Sequence, residues 1–260
     1  MQPSDSAPSS IESPTVPMSH ARLWAWAMGA GLVAGLVAWL GGEGCIELIK
    51  PPRHAVNSKG LTLNVASRWE EAVAVAKNSG LAFLILGAAL GTTLGAAGGL
   101  ARRCRRATVT AAPTGLVMGM VVSGCLSAVI LPAYTAYQLR HPDEASRDLV
   151  LPLLVHVGIW SGVGAVGGLA LGLGLGLGLR ERGFLIRAVE GGFIGAAIGA
   201  AAYELIGAFA FPAARTAQFV SATWETRLLA RLAVTVLASA GAAIGVSSPR
   251  NRPAASPPPA

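Results

Sequence analysis

Glu43, Glu47, His156 and Glu204 stand in, or close the ends of, long apolar stretches of this 260-residue chain. An ionisable side chain inside a bilayer is costly and is a candidate functional group by default. Glu204 lies about sixteen residues into its apolar run, roughly 24 Å from the end at which that run begins. His156 lies about seven residues from the opposite end of its own run, so the two share a depth. Glu43 and Glu47 close the first run on that same side. A carboxylate beside an imidazole can hold a proton or a cation, and Glu47, His156 and Glu204 form the candidate polar site on that basis. The competing account leaves Glu43 and Glu47 solvated at the interface, with His156 and Glu204 capped by backbone groups or by each other.

Other chemistry is not indicated. Three cysteines (Cys45, Cys104, Cys125) are scattered without C-x-x-C or Cys/His spacing, so neither a disulfide framework nor a metal site is expected. No P-loop, nucleophile elbow or zincin helix occurs, and "GAAGGLA" mimics a dinucleotide fingerprint without a strand before it. Neither an enzyme nor a cofactor is expected. The formal charge of +7 and pI near 10.0 come from basic residues flanking apolar runs, so anionic lipid explains them better than nucleic acid. In the cluster "RRCRR", Arg102, Arg103, Arg105 and Arg106 suit an anionic headgroup such as cardiolipin, or serve only to set topology.

The elements that must carry these groups are membrane spans. Mean hydropathy is +0.56 and 13% of residues are charged, about half the usual share. Stretches without Asp, Glu, Lys or Arg cover 23–42, 78–101, 107–139, 149–179, 191–214 (broken only by Glu204) and 232–249. A helix needs about 20 apolar residues to cross a bilayer. The expectation is an all-α integral membrane protein with six transmembrane helices over 21–42, 79–101, 112–137, 150–179, 189–212 and 228–247. Residues 1–20 and 249–260 are expected to be disordered tails around a membrane domain at 21–248.

Glycine spacing predicts how these helices pack. Gly87, Gly91, Gly95 and Gly99 recur every four residues in the second, Gly164, Gly168, Gly172 and Gly176 in the fourth, and Gly191, Gly195 and Gly199 in the fifth. Lipid tails are as apolar as leucine, so helices in a membrane associate by close packing, and small residues in register permit it. In "GLALGLGLGLGLR" (168–180) the alternation is too long and too apolar for a barrel strand. It predicts a helix with two glycine faces, Gly172 and Gly176 on one and Gly174 and Gly178 on the other. Such glycine-zipper packing fits a tight bundle, a homo-oligomer or docking on a membrane-protein partner.

The spans also repeat. "LGAAGGLA" (94–101), "VGAVGGLA" (163–170) and "AGAAIGVS" (240–247) mark the even helices, and "GLVAGLV" (31–37), "GLVMGMV" (115–121) and "GGFIGAA" (191–197) the odd ones. Three tandem two-helix hairpins around an axis along the membrane normal are the implied plan. The short, densely basic loops on the side where the chain starts put both termini in the cytoplasm. Arginine outnumbers lysine 17 to 3, a bias of GC-rich bacterial genomes, so a bacterial inner membrane is expected. A structural or assembly subunit is the leading functional expectation, and a small transporter or channel the alternative.

Overall fold

The computed structural model describes residues 19–58, 61–141, 150–176, 182–211 and 219–248. The expected tails, apart from Ser19 and His20, lie outside the described residues, as does Gly178. Among the described residues there are six helices: α1 (His20–Glu43), α2 (Arg68–Ala101), α3 (Arg105–Arg140), α4 (Val150–Gly174), α5 (Arg182–Ala210) and α6 (Trp224–Ser247). Each is long and apolar enough to cross a membrane. Between α1 and α2 an antiparallel hairpin pairs β1 (His54–Ser58) with β2 (Leu61–Val65). The all-helical expectation omitted it, although "AVNS" and "LTLNV" carry the β-branched alternation of short strands.

Helix ends depart from the expected bounds for local reasons. α2 begins eleven residues before position 79 because Ser67 and Glu70 form a capping box, with Glu70 N–H donating to Ser67 Oγ and Ser67 N–H to Glu70 Oε2. That cap starts a polar turn well before the apolar run. α4 stops at Gly174 rather than 179 because Gly176 takes a left-handed conformation at φ +68° and its N–H closes on the Leu173 carbonyl. Glycine just past a helix end adopts that geometry without the Cβ penalty. Gly176 is therefore a terminator rather than a member of the packing stripe.

The helices form a closed ring in chain order, with α1 returning to α6. α2, α4 and α6 take the inner positions; α4 touches both of the others, while α2 and α6 barely meet. α3 is the most lipid-facing, exposing Val109, Val117, Val121 and Val129. Several hydroxyls within the helices are satisfied locally: Thr92, Thr93, Thr235 and Ser239 each donate to the carbonyl four residues back, whereas the buried hydroxyls of Ser123, Ser127, Ser161 and Ser247 have no partner among the described residues.

Glycines fill the helix contacts toward the end of the bundle where α1 starts, called the base below. On α2, an added methyl at Gly91 would overlap the Gly115 carbonyl of α3, and one at Gly95 would come within 2.5 Å of the Ala111 carbonyl. On α4, Gly164 and Gly168 face the Gly192 and Ala188 carbonyls of α5, while a methyl added at Gly167 would come 3.0 Å from Leu90 and Leu94 of α2. A methyl added at Gly174, on that same face, would come within 3.0 Å of Gly98 Cα. Helix α4 is thus flanked by backbone on two sides. Gly191 and Gly195 pack on Gly241 and Leu237 of α6, and Gly199 on Val234.

Candidate functional site

The opposite, hairpin end gathers the polar groups. His156 of α4 is hydrogen-bonded through Nδ1 to Glu204 Oε1 of α5, with the imidazole 3% and the carboxylate 15% exposed. The sequence placed the two at a shared depth without pairing them, and the structure brings them together. Glu43 does not join it. Its two oxygens take the Arg227 guanidinium of α6, from Nε at 2.6 Å and Nη2 at 2.7 Å. This bidentate fork fixes orientation as well as charge. Arg227 Nη1 also donates to the carbonyls of Ser221 and Ala222, tying the segment before α6 to its first turn.

Glu47 is placed elsewhere. It is exposed and lines a surface cleft with Lys50, Arg53 and Glu71, because the chain leaves α1 at Glu43 and turns. The turn is held by Asn78 of α2, whose Nδ2 donates to the Ile46 and Ile49 carbonyls while its Oδ1 accepts from Ile49 N–H.

Behind the ion pairs lies an aromatic stack. Trp160, one turn from His156, is stacked on Tyr203 with centroids 6.1 Å apart and planes 11° apart, and meets Phe83 of α2 edge-on at 5.9 Å. Arg231, one turn beyond Arg227, points its guanidinium at both rings, 5.3 Å from Phe83 and 5.7 Å from Trp160. Ser221 Oγ accepts from Thr226 Oγ1 at 2.7 Å. His156, Trp160, Tyr203, Ser221, Arg227 and Arg231 line a partly open space of only about 10 Å³.

Arg227, Arg231, Trp160 and Tyr203 were not among the sequence candidates. The signal was present: two arginines four residues apart occupy one helix face. Both fall before 232, where the uncharged run marking the last span begins, so neither stood out as a group within the membrane. At the base, Arg102 donates to the Leu175 carbonyl, so one member of "RRCRR" caps the end of α4; Arg103, Arg105 and Arg106 are exposed. Arg22 caps Leu100 of α2 and Arg187 caps Ser248 after α6, at 2.8 and 3.1 Å. Each inner helix therefore ends on an arginine, which suits the negative end of the helix dipole.

Searches against protein-family models, curated proteins and solved structures found no match. What fold and site define is a class: a multi-pass membrane protein with six apolar helices.

Proposed function

We propose that the chain is a structural or assembly subunit of a bacterial inner membrane, with both termini cytoplasmic, neither an enzyme nor a nucleic-acid binder. One observation carries this reading: two of the inner helices, α2 and α4, meet backbone to backbone. A methyl at Gly98 of α2 would reach within 2.5 Å of the Leu171 carbonyl and 2.8 Å of Gly174, both on α4. Glycine-zipper packing is spent within the chain, so a second copy or a membrane-protein partner would dock on the lipid-facing flank of α3 rather than on the stripes.

The proposal includes the threefold repeat of hairpins, for which the contacts of α1 and α3 give support. Gly31 and Gly35 of α1 lie against α6, Gly115 and Gly119 of α3 against α2, and Gly192 of α5 against α4. The spaced glycine pairs of α1 and α3 thus rest on the inner helix that precedes each around the ring, whereas the pair Gly191 and Gly195 of α5 rests on α6, which follows it, and only Gly192 meets α4. The arginine caps follow the same order for α1 on α2 and α5 on α6.

The alternative, a small transporter or channel working through His156 and Glu204, is favoured by the burial of that pair beside a cavity. Cysteine scanning along 191–211, in a background without Cys45, Cys104 and Cys125, separates the two. A structural subunit leaves Tyr203 and Glu204 positions unreactive toward membrane-impermeant thiol reagents. A labelled track leading from the hairpin end to position 204 replaces that reading with the transporter.

A further inference from the structure

One side of α5 carries Ile186, Glu190, Ile194 and Ile198 at four-residue spacing. The isoleucines are 53%, 56% and 56% exposed, a row that faces lipid when the helix spans a membrane. Glu190 interrupts that row. It is exposed, lies roughly 12 Å from the start of α5 at the base, and makes no hydrogen bond or ion pair with any described residue. An ionisable group at such a place without a partner is a candidate binding site. Beside it an open groove of about 350 Å³ follows the seam of α5 and α6, from Arg187 and Ser248 at the base to Ile198 and Leu237. Past Glu190 its lining is glycine, alanine, leucine and isoleucine. Arg187 lines the same mouth and neighbours Glu190 on the helix surface, yet the two do not pair. Arg187 turns to the base instead: Nε donates to the Gly183 carbonyl at 3.2 Å, Nη1 to the Ser248 carbonyl at 3.1 Å, and the guanidinium lies 4.4 Å from the Phe184 ring centre. Opposite charges thus stand apart at one mouth.

We propose that this groove binds one phospholipid with a phosphoethanolamine headgroup, its ammonium on Glu190, its phosphate on Arg187 and an acyl chain along the seam. A headgroup of both signs answers both charges at once. Its ammonium brings N–H donors to the carboxylate, which the quaternary nitrogen of a choline headgroup lacks. A phosphoglycerol headgroup would set its negative charge against Glu190 with nothing positive to offset it. Depth agrees with this placement. Helical side chains lean toward the N-terminus of their helix, which for α5 is the base, so both charged groups reach toward the headgroups at that end. The apolar part of the groove continues inward, roughly 16 Å separating Arg187 from Ile198 along the helix, and takes the chain. The site does not depend on whether the protein is a structural subunit or a transporter.

The test uses the full chain, delipidated in detergent, with native mass spectrometry reading the first lipid bound and thermal unfolding as a second measure. The lipids share their acyl chains and differ in headgroup. Phosphatidylethanolamine is expected to bind one per chain, about tenfold tighter than phosphatidylcholine or phosphatidylglycerol, and to raise Tm where they do not. Glycerophosphoethanolamine, which has no acyl chains, is expected not to compete. Glu190→Gln keeps the size of an exposed side chain and is expected to erase the preference for ethanolamine over choline. Glu71→Gln, at an exposed acid of the hairpin end, is expected to keep it. Equal binding of the ethanolamine and choline lipids to the wild type overturns the site, as does a preference that survives Glu190→Gln. Tighter binding of phosphatidylglycerol overturns it too, and so does competition by glycerophosphoethanolamine, since the groove would then hold no chain. A wild-type oligomer that Glu190→Gln dissociates, without any lipid preference, replaces the lipid with a protein partner on this face.

Discussion

At the base of the bundle α2 and α3 approach until Gly91 faces the Gly115 carbonyl; at the hairpin end α4, α5, α1 and α6 are joined by side chains reaching across, His156 to Glu204 and Glu43 to Arg227. Both arrangements hold helices together where no water drives them together. The glycine contacts work by dispersion over many atoms at close range, so they depend on shape and have no slack. The ion pairs work through a few directed bonds, whose net value against apolar packing is small once desolvation is counted. The base should therefore tolerate almost no change of volume, and the hairpin end should tolerate loss of charge if both partners go together.

The largest effect follows at the base. Gly91→Leu and Gly168→Leu place side chains against backbone carbonyls of α3 and α5, which cannot turn aside as a side chain does. Overpacking in a core costs about 1–3 kcal/mol, occasionally more, and these sites belong at or above the upper end. Loss of monodisperse protein in detergent is the expected outcome. Gly158→Leu is the control, because nothing lies within 4 Å of its added Cβ, so Tm should hold or rise through better helix propensity. Equal damage at Gly91 and Gly158 would erase the distinction between the two ends.

Next comes the pair His156–Glu204. Glu204→Ala leaves a buried imidazole without its partner, and breaking a buried pair costs about 3–5 kcal/mol; with the carboxylate partly exposed, a value below that range is expected. The double change His156→Leu with Glu204→Leu should recover most of the loss in chemical unfolding. No double change at Gly91 and Gly115 to larger residues should do so. If the leucine pair is as damaging as Glu204→Ala, the hairpin end is as shape-limited as the base.

These two regions were unequally legible. Hydropathy found the six spans, since about 20 apolar residues leave few alternatives. It also found the depth shared by His156 and Glu204, because rise per residue is fixed. It missed Arg231, because charge served to mark where a span ends, and a guanidinium lying on aromatic rings violates that rule. Glu47 was misplaced because a turn after Glu43, held by a distant Asn78, leaves no local sign. The Leu–Gly alternation led to two glycine faces, Gly172 with Gly176 and Gly174 with Gly178; of these Gly174 faces α2, and Gly178 lies outside the described residues. It hid that one of its glycines, Gly176, would end the helix.

Smaller effects belong to the arginine caps. Arg22→Ala and Arg187→Ala each remove a donor from the carbonyl end of an inner helix. Charge at a helix terminus contributes about 0.3–1 kcal/mol where exposed, so a Tm decrease of a few degrees at most is expected. Raising salt should reduce the difference between wild type and variant. A larger loss would mean that these residues also order the loops beside them.

The smallest effect is expected where β1–β2 meets α2. A lone two-stranded hairpin is marginal in water, and this one exposes Val56, Leu61, Leu63 and Val65. His54 Nε2 is 2.7 Å from Glu70 Oε1, a single tie to the first turn of α2, while Glu70 Oε2 accepts from both Ser67 N–H and Ser67 Oγ. One carboxylate thus serves two structures, and substitution separates them. Glutamine at Glu70 still fits a capping box but gives up the charge that strengthens the histidine bond. Glu70→Gln should therefore speed amide hydrogen exchange in 54–65 and leave residues 70–73 protected. Glu70→Ala should speed exchange in both segments, and His54→Ala in the hairpin alone. Global Tm should not move in any of the three, because exchange by local opening draws on less than the free energy of the bundle. If His54→Ala leaves hairpin exchange unchanged, the hairpin is held by something other than this tie, with its exposed valines and leucines seated on lipid the first place to look.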